Sequence, residues 1–201
     1  MIEAARRPPA RKIVKRLGKW LAARKAIEIV EEGGVRVLQI GGNAIQSAMR
    51  LSAPDRIELD YVRAMMAFLL FHPNPRDVLV VDGFVNGSPA KGLCTQSFYD
   101  GAFAALRPGG VMVANFMADD KRIETHCGRI AQSFGRNPTL LLAEEEDNFI
   151  AFALRGGPPR IAWAELKARA RAASALFGLP LGECVPSLRQ RNPHTTRFLT
   201  L

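Results

Sequence analysis

Cysteine is scarce in this chain. Cys94, Cys127 and Cys184 are the whole complement of 201 residues, too few and too scattered for a disulfide framework or a CxxC metal pair. Three free thiols in a reducing compartment are expected. Long apolar runs are also missing: the longest, such as Ala64 to Phe71, fall far short of the roughly 20 residues that span a bilayer, and no N-terminal apolar stretch resembles a signal peptide. A cytoplasmic location with no membrane insertion is the default. No GxSxG surrounds Ser47, Ser88 or Ser97, which argues against a hydrolase triad. Of the three histidines, His72 stands before two prolines and reads as a turn residue, and His126 beside Cys127 lacks the further ligands of a zinc site. Neither a metal nor a prosthetic group is expected. What remains is 48% apolar and 23% charged with a mean hydropathy of -0.01, the composition of one globular domain or two small ones.

Acids are nearly absent from the first 25 positions, and that is where the charge of the chain resides. The segment holds nine of the 28 basic residues (Arg6, Arg7, Arg11, Lys12, Lys15, Arg16, Lys19, Arg24, Lys25) and one acid, Glu3, so it supplies +8 of the net +9. The other 176 residues balance 19 basic against 18 acidic side chains. Any pull on nucleic-acid phosphates or anionic lipid is therefore confined to a basic arm. Three readings fit the arm: a solvated leader, a binding arm, or a transit-like segment built on the amphipathic series Ile13, Leu17, Trp20, Leu21. Few hydroxyl residues argue against the third.

Beyond the arm, Ala22 to Glu32 reads as a helix broken by Gly33-Gly34. Val35 to Ile40, the Gly41-Gly42-Asn43 turn and Ala44 to Leu51 form a β-hairpin. Asp55 can cap a helix through Phe71, with Leu59, Val62, Met65, Met66, Leu69 and Leu70 at helical spacing. Asp77 to Val81 reads as a strand buried on both faces of a parallel sheet. After a loop with Gly87, Pro89 and Gly92 come a helix from Thr95 to Leu106, a stop at Arg107-Pro108-Gly109-Gly110, and the strand Val111 to Phe116. A helix over Asp119 to Phe134 precedes the antiparallel pair Thr139 to Ala143 and Phe149 to Leu154, around the acidic turn Glu144 to Asp147. Ile161 to Phe177 reads as the last helix, and Pro180 to Leu201 as a loosely docked tail. This pattern predicts an arm and helix over 1–32, a hairpin region over 33–56, an α/β domain over 57–178 and a tail over 179–201.

Ligands of open α/β sheets bind beyond the carboxyl ends of the strands, which singles out Asp82. Its carboxylate either projects into a crevice or caps the following loop in an Asx-type turn. Glu58, Asp60 and Tyr61 fall at the predicted helix start, where acids also complement the helix dipole and a tyrosine can face the core. Gly41-Gly42 and Gly109-Gly110 lack the strand-to-helix setting of a phosphate cradle and read as turns.

An ordered series of segments resembles the spermidine synthase family. Gly34-Val35-Arg36-Val37-Leu38-Gln39, Ile45-Gln46-Ser47-Ala48-Met49, and Asp60-Tyr61-Val62-Arg63-Ala64-Met65-Met66 leading to Leu69-Leu70-Phe71-His72-Pro73-Asn74-Pro75 are similar to its front end. Val80-Val81-Asp82-Gly83-Phe84, Leu93, Phe98-Tyr99 and Leu106-Arg107-Pro108-Gly109-Gly110-Val111 are similar to its later half. The resemblance implies a polyamine aminopropyltransferase with a small N-terminal β domain and a class I methyltransferase-like Rossmann domain. By the same resemblance Gln46 contacts decarboxylated S-adenosylmethionine as co-substrate, Tyr61 lies near the site of putrescine or a similar amine, and Asp82 orients and helps deprotonate the attacking amine. Burying two cationic substrates calls for acids, which adds weight to Asp82, Glu58 and Asp60.

The family's GxGGGS turn, its ribose-binding carboxylate and its adenine contacts have no counterpart here. About 60 residues, two α/β units at roughly 30 each, are absent between Val81 and Asp82. Val85 stands where the family often has a second acid. The expected fold is thus a truncated class I methyltransferase-like α/β sheet with helices, preceded by a β-hairpin domain and the basic arm. The expected function is either aminopropyl transfer weakened by loss of the donor-binding segment, or an inactive relative acting as an oligomerisation or partner-binding module. Loss of strands exposes a sheet edge and favours a homo-oligomer.

Overall fold

The computed structural model describes residues 27–40, 45–72, 74, 77–85, 88–143 and 147–201. The basic arm, the start of the helix expected from Ala22, the Gly41-Gly42-Asn43 turn, Pro73, Pro75, Gly87 and Glu144 to Glu146 lie outside the described residues. The chain divides into two compact units, Met1–Asp60 and Tyr61–Leu201.

The first unit is a three-stranded antiparallel sheet in the order β1 (Ile27–Glu32), β2 (Val35–Ile40), β3 (Ile45–Arg50). The second and third strands are the expected hairpin. The first corrects the expected helix over Ala22 to Glu32. Ile27, Ile29 and Val30 favour extended backbone, and Gly33 and Gly34 adopt φ of 60° and 78°, the double left-handed conformation of a two-residue hairpin turn. The glycine pair therefore reverses a strand instead of ending a helix, and Glu32 pairs with Val35 across it.

In the second unit the helix expected from Asp55 to Phe71 begins later and is split into α1 (Asp60–Met65) and α2 (Phe68–Phe71). Between them the amides of Ala67, Leu69 and Leu70 bond three residues back, to Ala64, Met66 and Ala67, which tightens the turn and breaks the α-helical ladder. A four-stranded sheet follows, in the order β4 (Val78–Val81), β7 (Val111–Met117), β9 (Asn148–Leu154), β8 (Thr139–Ala143). β4 runs parallel to β7, and β9 is antiparallel to both its neighbours. β5 (Phe84–Val85) and β6 (Ser88–Pro89) make a small hairpin in the loop after β4.

Residues 111 to 116 of β7 are all buried. On one face Met112, Ala114 and Phe116 join Phe149, Ala151 and Ala153 of β9 under α3 (Gln96–Ala105) and α4 (Ile123–Phe134), which contribute Tyr99, Ala102, Ile130 and Phe134, with Leu106 just past the end of α3. Thr95 caps α3 by accepting from the Phe98 amide at 3.1 Å, as its residue type predicts. β4 is not buried on both faces: Val78 and Val80 are 38% and 55% exposed. It is an edge strand, paired on one side only among the described residues.

The tail also departs from expectation. β10 (Arg160–Ala162) and α5 (Trp163–Phe177) lead into a 3-10 turn (Leu181–Glu183), α6 (Cys184–Arg191) and β11 (Phe198–Thr200), which pairs with β10. Leu181, Val185, Leu188, Leu199 and Leu201 are buried. The first three recur at helical spacing, and Pro186 sits in the first turn of α6, where its missing amide hydrogen has no helical partner to lose.

Candidate functional site

The carboxyl ends of β4 and β7 and the start of β9 meet at one end of the sheet, since Val81 pairs with Ala114 and Met117 with Asn148. Asp82 follows β4 at this end and is exposed. Its Oδ1 accepts a hydrogen bond from Asn115 Nδ2 at 2.9 Å. Asn115 Oδ1 in turn accepts from Asn148 Nδ2 at 2.9 Å. Both asparagines are 5% exposed. Asp82 Oδ2 has no partner among the described residues. The Gly83 carbonyl accepts from the Ala90 amide at 2.9 Å, so the β5–β6 hairpin is tied down directly after the carboxylate.

Tyr61 belongs to the same unit, half-buried in the first turn of α1. Gln46 and Glu58 belong to the first unit. Leu38 pairs with Ser47 and Gln39 with Ile45, so Gln46 is the extra residue of a β-bulge, a device that re-aims a side chain. It is exposed. Glu58 is engaged by Arg50, whose Nε donates to Oε2 at 3.1 Å and whose Nη2 donates to Oε1; its negative charge is met within the unit. Asp60 begins α1 and is half-buried.

Three features were not anticipated from sequence. Asn115 and Asn148 carry one signal, an amide inside an otherwise apolar strand. Gln39 is 1% exposed, and neither of its side-chain polar atoms has a hydrogen-bond partner among the described residues. The third is the turn after β7. There the Asp120 carboxylate accepts from the Arg122 amide at 2.9 Å and from Nε and Nη2 at 3.0 Å, and these bonds to Arg122 hold its carboxyl below the usual range. Asp120 Oδ2 lies 3.6 Å from His126 Nε2. That imidazole is 2% exposed and stacks on Phe116 at 5.2 Å; desolvation pushes its pKa down against the opposing pull of Asp120.

No disulfide joins the cysteines among the described residues. Burial pushes the Cys94 thiol up and the Cys127 thiol up to about 11, so neither is an activated nucleophile. No group of three potential metal ligands occurs among the described residues. A cavity of about 380 Å³ lined by Lys167, Ala170, Arg171, Ser174 and Gly182 contains none of these site residues.

No protein-family model matches the chain. A polyamine aminopropyltransferase of Chromobacterium violaceum is 26% identical over 256 aligned positions, covering 93% of this chain and 98% of that protein. The chain is thus similar in sequence to polyamine aminopropyltransferases. Polyamine aminopropyltransferases from two Neisseria meningitidis serogroups, A and B, are each 24% identical, covering 87% of this chain and 93% of theirs. A probable spermidine synthase from Corynebacterium glutamicum has a similar fold, with a TM-score of 0.55 at 16% identity over 77% of this chain and 85% of that one. The α/β architecture with a small N-terminal sheet is thus similar to the fold of that probable spermidine synthase. The Chromobacterium alignment is longer than the 201 residues of the chain, so the relative has residues with no counterpart here.

Proposed function

We propose that the chain is a spermidine synthase-like protein whose Asp82 receives the amine of putrescine or a similar acceptor. Aminopropyl transfer from decarboxylated S-adenosylmethionine is slow in it, because the segment that grips the nucleoside in the family is absent. The observation that carries this reading is the Asp82 carboxylate at the carboxyl end of β4, one oxygen tied to Asn115 and the other without a partner among the described residues. An alkylamine has an ordinary pKa near 10.4 and is protonated at neutral pH. To attack the carbon beside the sulfonium it must present a lone pair, so a carboxylate that orients it and accepts its proton is required. Transfer forms an N–C bond, breaks the S–C bond to leave methylthioadenosine as the thioether, and releases that proton. Gln46 is assigned to the donor and Tyr61 to the acceptor. Glu58, already paired with Arg50, contributes less to a cation site than Asp82.

A coupled assay on putrescine, run beside calorimetric titration with methylthioadenosine, tests the reading. Slow turnover that falls by roughly 10²-fold or more in Asp82→Asn is expected, together with weak nucleoside binding. Tight methylthioadenosine binding would mean that the donor site is complete after all. Transfer by Asp82→Asn at the wild-type rate would remove the proposed base.

A second reading is favoured by the open edge of β4 with Val78 and Val80 exposed: an inactive relative that associates with another copy of itself. Sedimentation of wild type against Val80→Lys separates the two, since a lysine on the edge blocks strand pairing and leaves the Asp82 carboxylate in place.

A further inference from the structure

We infer that Asn115 and Asn148 are positioning residues for Asp82, fixing which of its carboxylate oxygens meets an incoming amine; the inference rests on the amine-site reading above. Asn115 lies in a strand whose neighbours Val113, Ala114 and Phe116 are buried and apolar. Packing does not call for an amide there, and a buried amide is unfavourable unless its donors and acceptor are matched. The match found here has a single direction. An ionised carboxylate only accepts, so Asn115 must turn Nδ2 toward Asp82 Oδ1, at 2.9 Å. Asn115 Oδ1 then faces β9 and needs a donor, which Asn148 Nδ2 supplies at 2.9 Å. The same Nδ2 lies 3.7 Å from Met117 Sδ, across the strand pair. Flipping either amide sets oxygen against oxygen.

Donation therefore runs from Asn148 through Asn115 to Asp82. The β4–β7 pairing ends at Val81 and Ala114, so Asp82 is the first residue past the ladder. Its exposed side chain is held by this one bond among the described residues. With Oδ1 tethered, Oδ2 is the oxygen presented to an ammonium group or to a proton leaving an amine. Asn148 touches neither substrate nor Asp82 and acts only by orienting Asn115.

The test uses the full chain as wild type, Asn115→Ala, Asn148→Ala and Asn148→Asp. Side-chain amide and carboxyl NMR at one pH near neutral reads the geometry, and calorimetry with putrescine as probe reads the site. Asn148→Ala is expected to move the Asn115 amide signals and the Asp82 carboxyl signal and to weaken putrescine several-fold; Asn115→Ala weakens it about tenfold. Asn148→Asp keeps the volume but replaces a donor with an acceptor. It turns the Asn115 carbonyl toward Asp82 and weakens binding more than Asn148→Ala, a reversal that a merely structural residue would not produce. If the alanine variants lose their fold, the near-isosteric Asn148→Asp still decides. An Asp82 signal and putrescine affinity that both Asn148 variants leave at wild-type values would overturn the inference. Wild-type protein that binds no putrescine refutes the amine site instead, and the response of the Asp82 signal to the Asn148 variants still decides the relay.

Discussion

His126 is a residue whose protonation works against the fold. Its ordinary pKa of 6.5 is lowered by burial, so the unfolded chain takes up the proton before the folded one does. Stability is then fully present above 6.5 and falls as pH drops below that value. Asp120, lowered from 3.8 by Arg122, has the same sign in a lower window: its contribution is present above 3.8 and lost as pH falls toward the folded value. Melting curves of His126→Gln should show a flatter decline just below pH 6.5 and only a slightly altered decline below about 4, where Arg122 is the main partner of Asp120. An unaltered slope in the upper window would assign that decline to another group. Cys127 makes a second test at this scale. With its thiol pushed up to about 11, little thiolate exists near neutral pH, so alkylation by iodoacetamide should be much slower in folded than in urea-unfolded protein. Asp82 was legible at this scale because strand, Asp-Gly and loop occur in that order. Asn115 and Asn148 were not, since nothing in VMVANFM or NFIAFAL says which buried amide has a partner.

Single side chains also finish elements whose ends would otherwise be unpaired. Asn192 imitates a neighbouring strand: Oδ1 accepts from the Leu140 amide at 2.7 Å, and Nδ2 donates to the Leu140 and Leu188 carbonyls at 2.7 Å. It satisfies the outer edge of β8 and the end of α6 together. Replacing Asn192 by alanine leaves these groups without partners in a site that is 8% exposed, and urea unfolding should register a loss of about 2–3 kcal/mol. Arg155 has a similar place at the end of α3. Its Nη1 donates to the carbonyls of Phe103 at 2.9 Å, Ala104 at 3.1 Å and Leu106, and its guanidinium lies 4.6 Å from the Phe103 ring centroid. Arg155→Ala should lower stability by about 1–2 kcal/mol in the same measurement, with only partial recovery in Arg155→Lys, which lacks the planar group that lies over the Phe103 ring. Element type followed the local pattern at β2, β3, β7, β8, β9, α3 and α5. It failed at β1, where Gly33-Gly34 serves equally as a helix stop or a hairpin turn and only the pairing with β2 decides. It failed again in the tail, whose apolar residues became core only once β11 found β10.

Over the whole molecule, charge and sheet edge are separate matters. The +8 of the first 25 residues sits on a body close to neutral. Retention on a polyanion such as heparin should therefore fall steeply with salt and disappear when residues 1–25 are removed. Retention that survives the deletion would place a basic surface on the body. The exposed edge follows from the order β4-β7-β9-β8, in which β4 has a strand on one side only among the described residues. The direct run of Val81 into Asp82 was legible in the sequence. An exposed edge was expected from the lost strands, but β4 was read wrongly as buried on both faces, because a continuous apolar run does not reveal what covers a strand.

Composition, charge placement, turn residues and local periodicity determined the class of the chain, most of its elements and the position of Asp82, because these depend on residues close together in sequence. Tertiary structure alone decided that β4 is an edge, that the tail closes the core, and that two buried asparagines thirty-three residues apart bear on one carboxylate. Such matters depend on which strands become neighbours, and hydrogen-bond direction through a buried amide is defined only when both of its partners are in place.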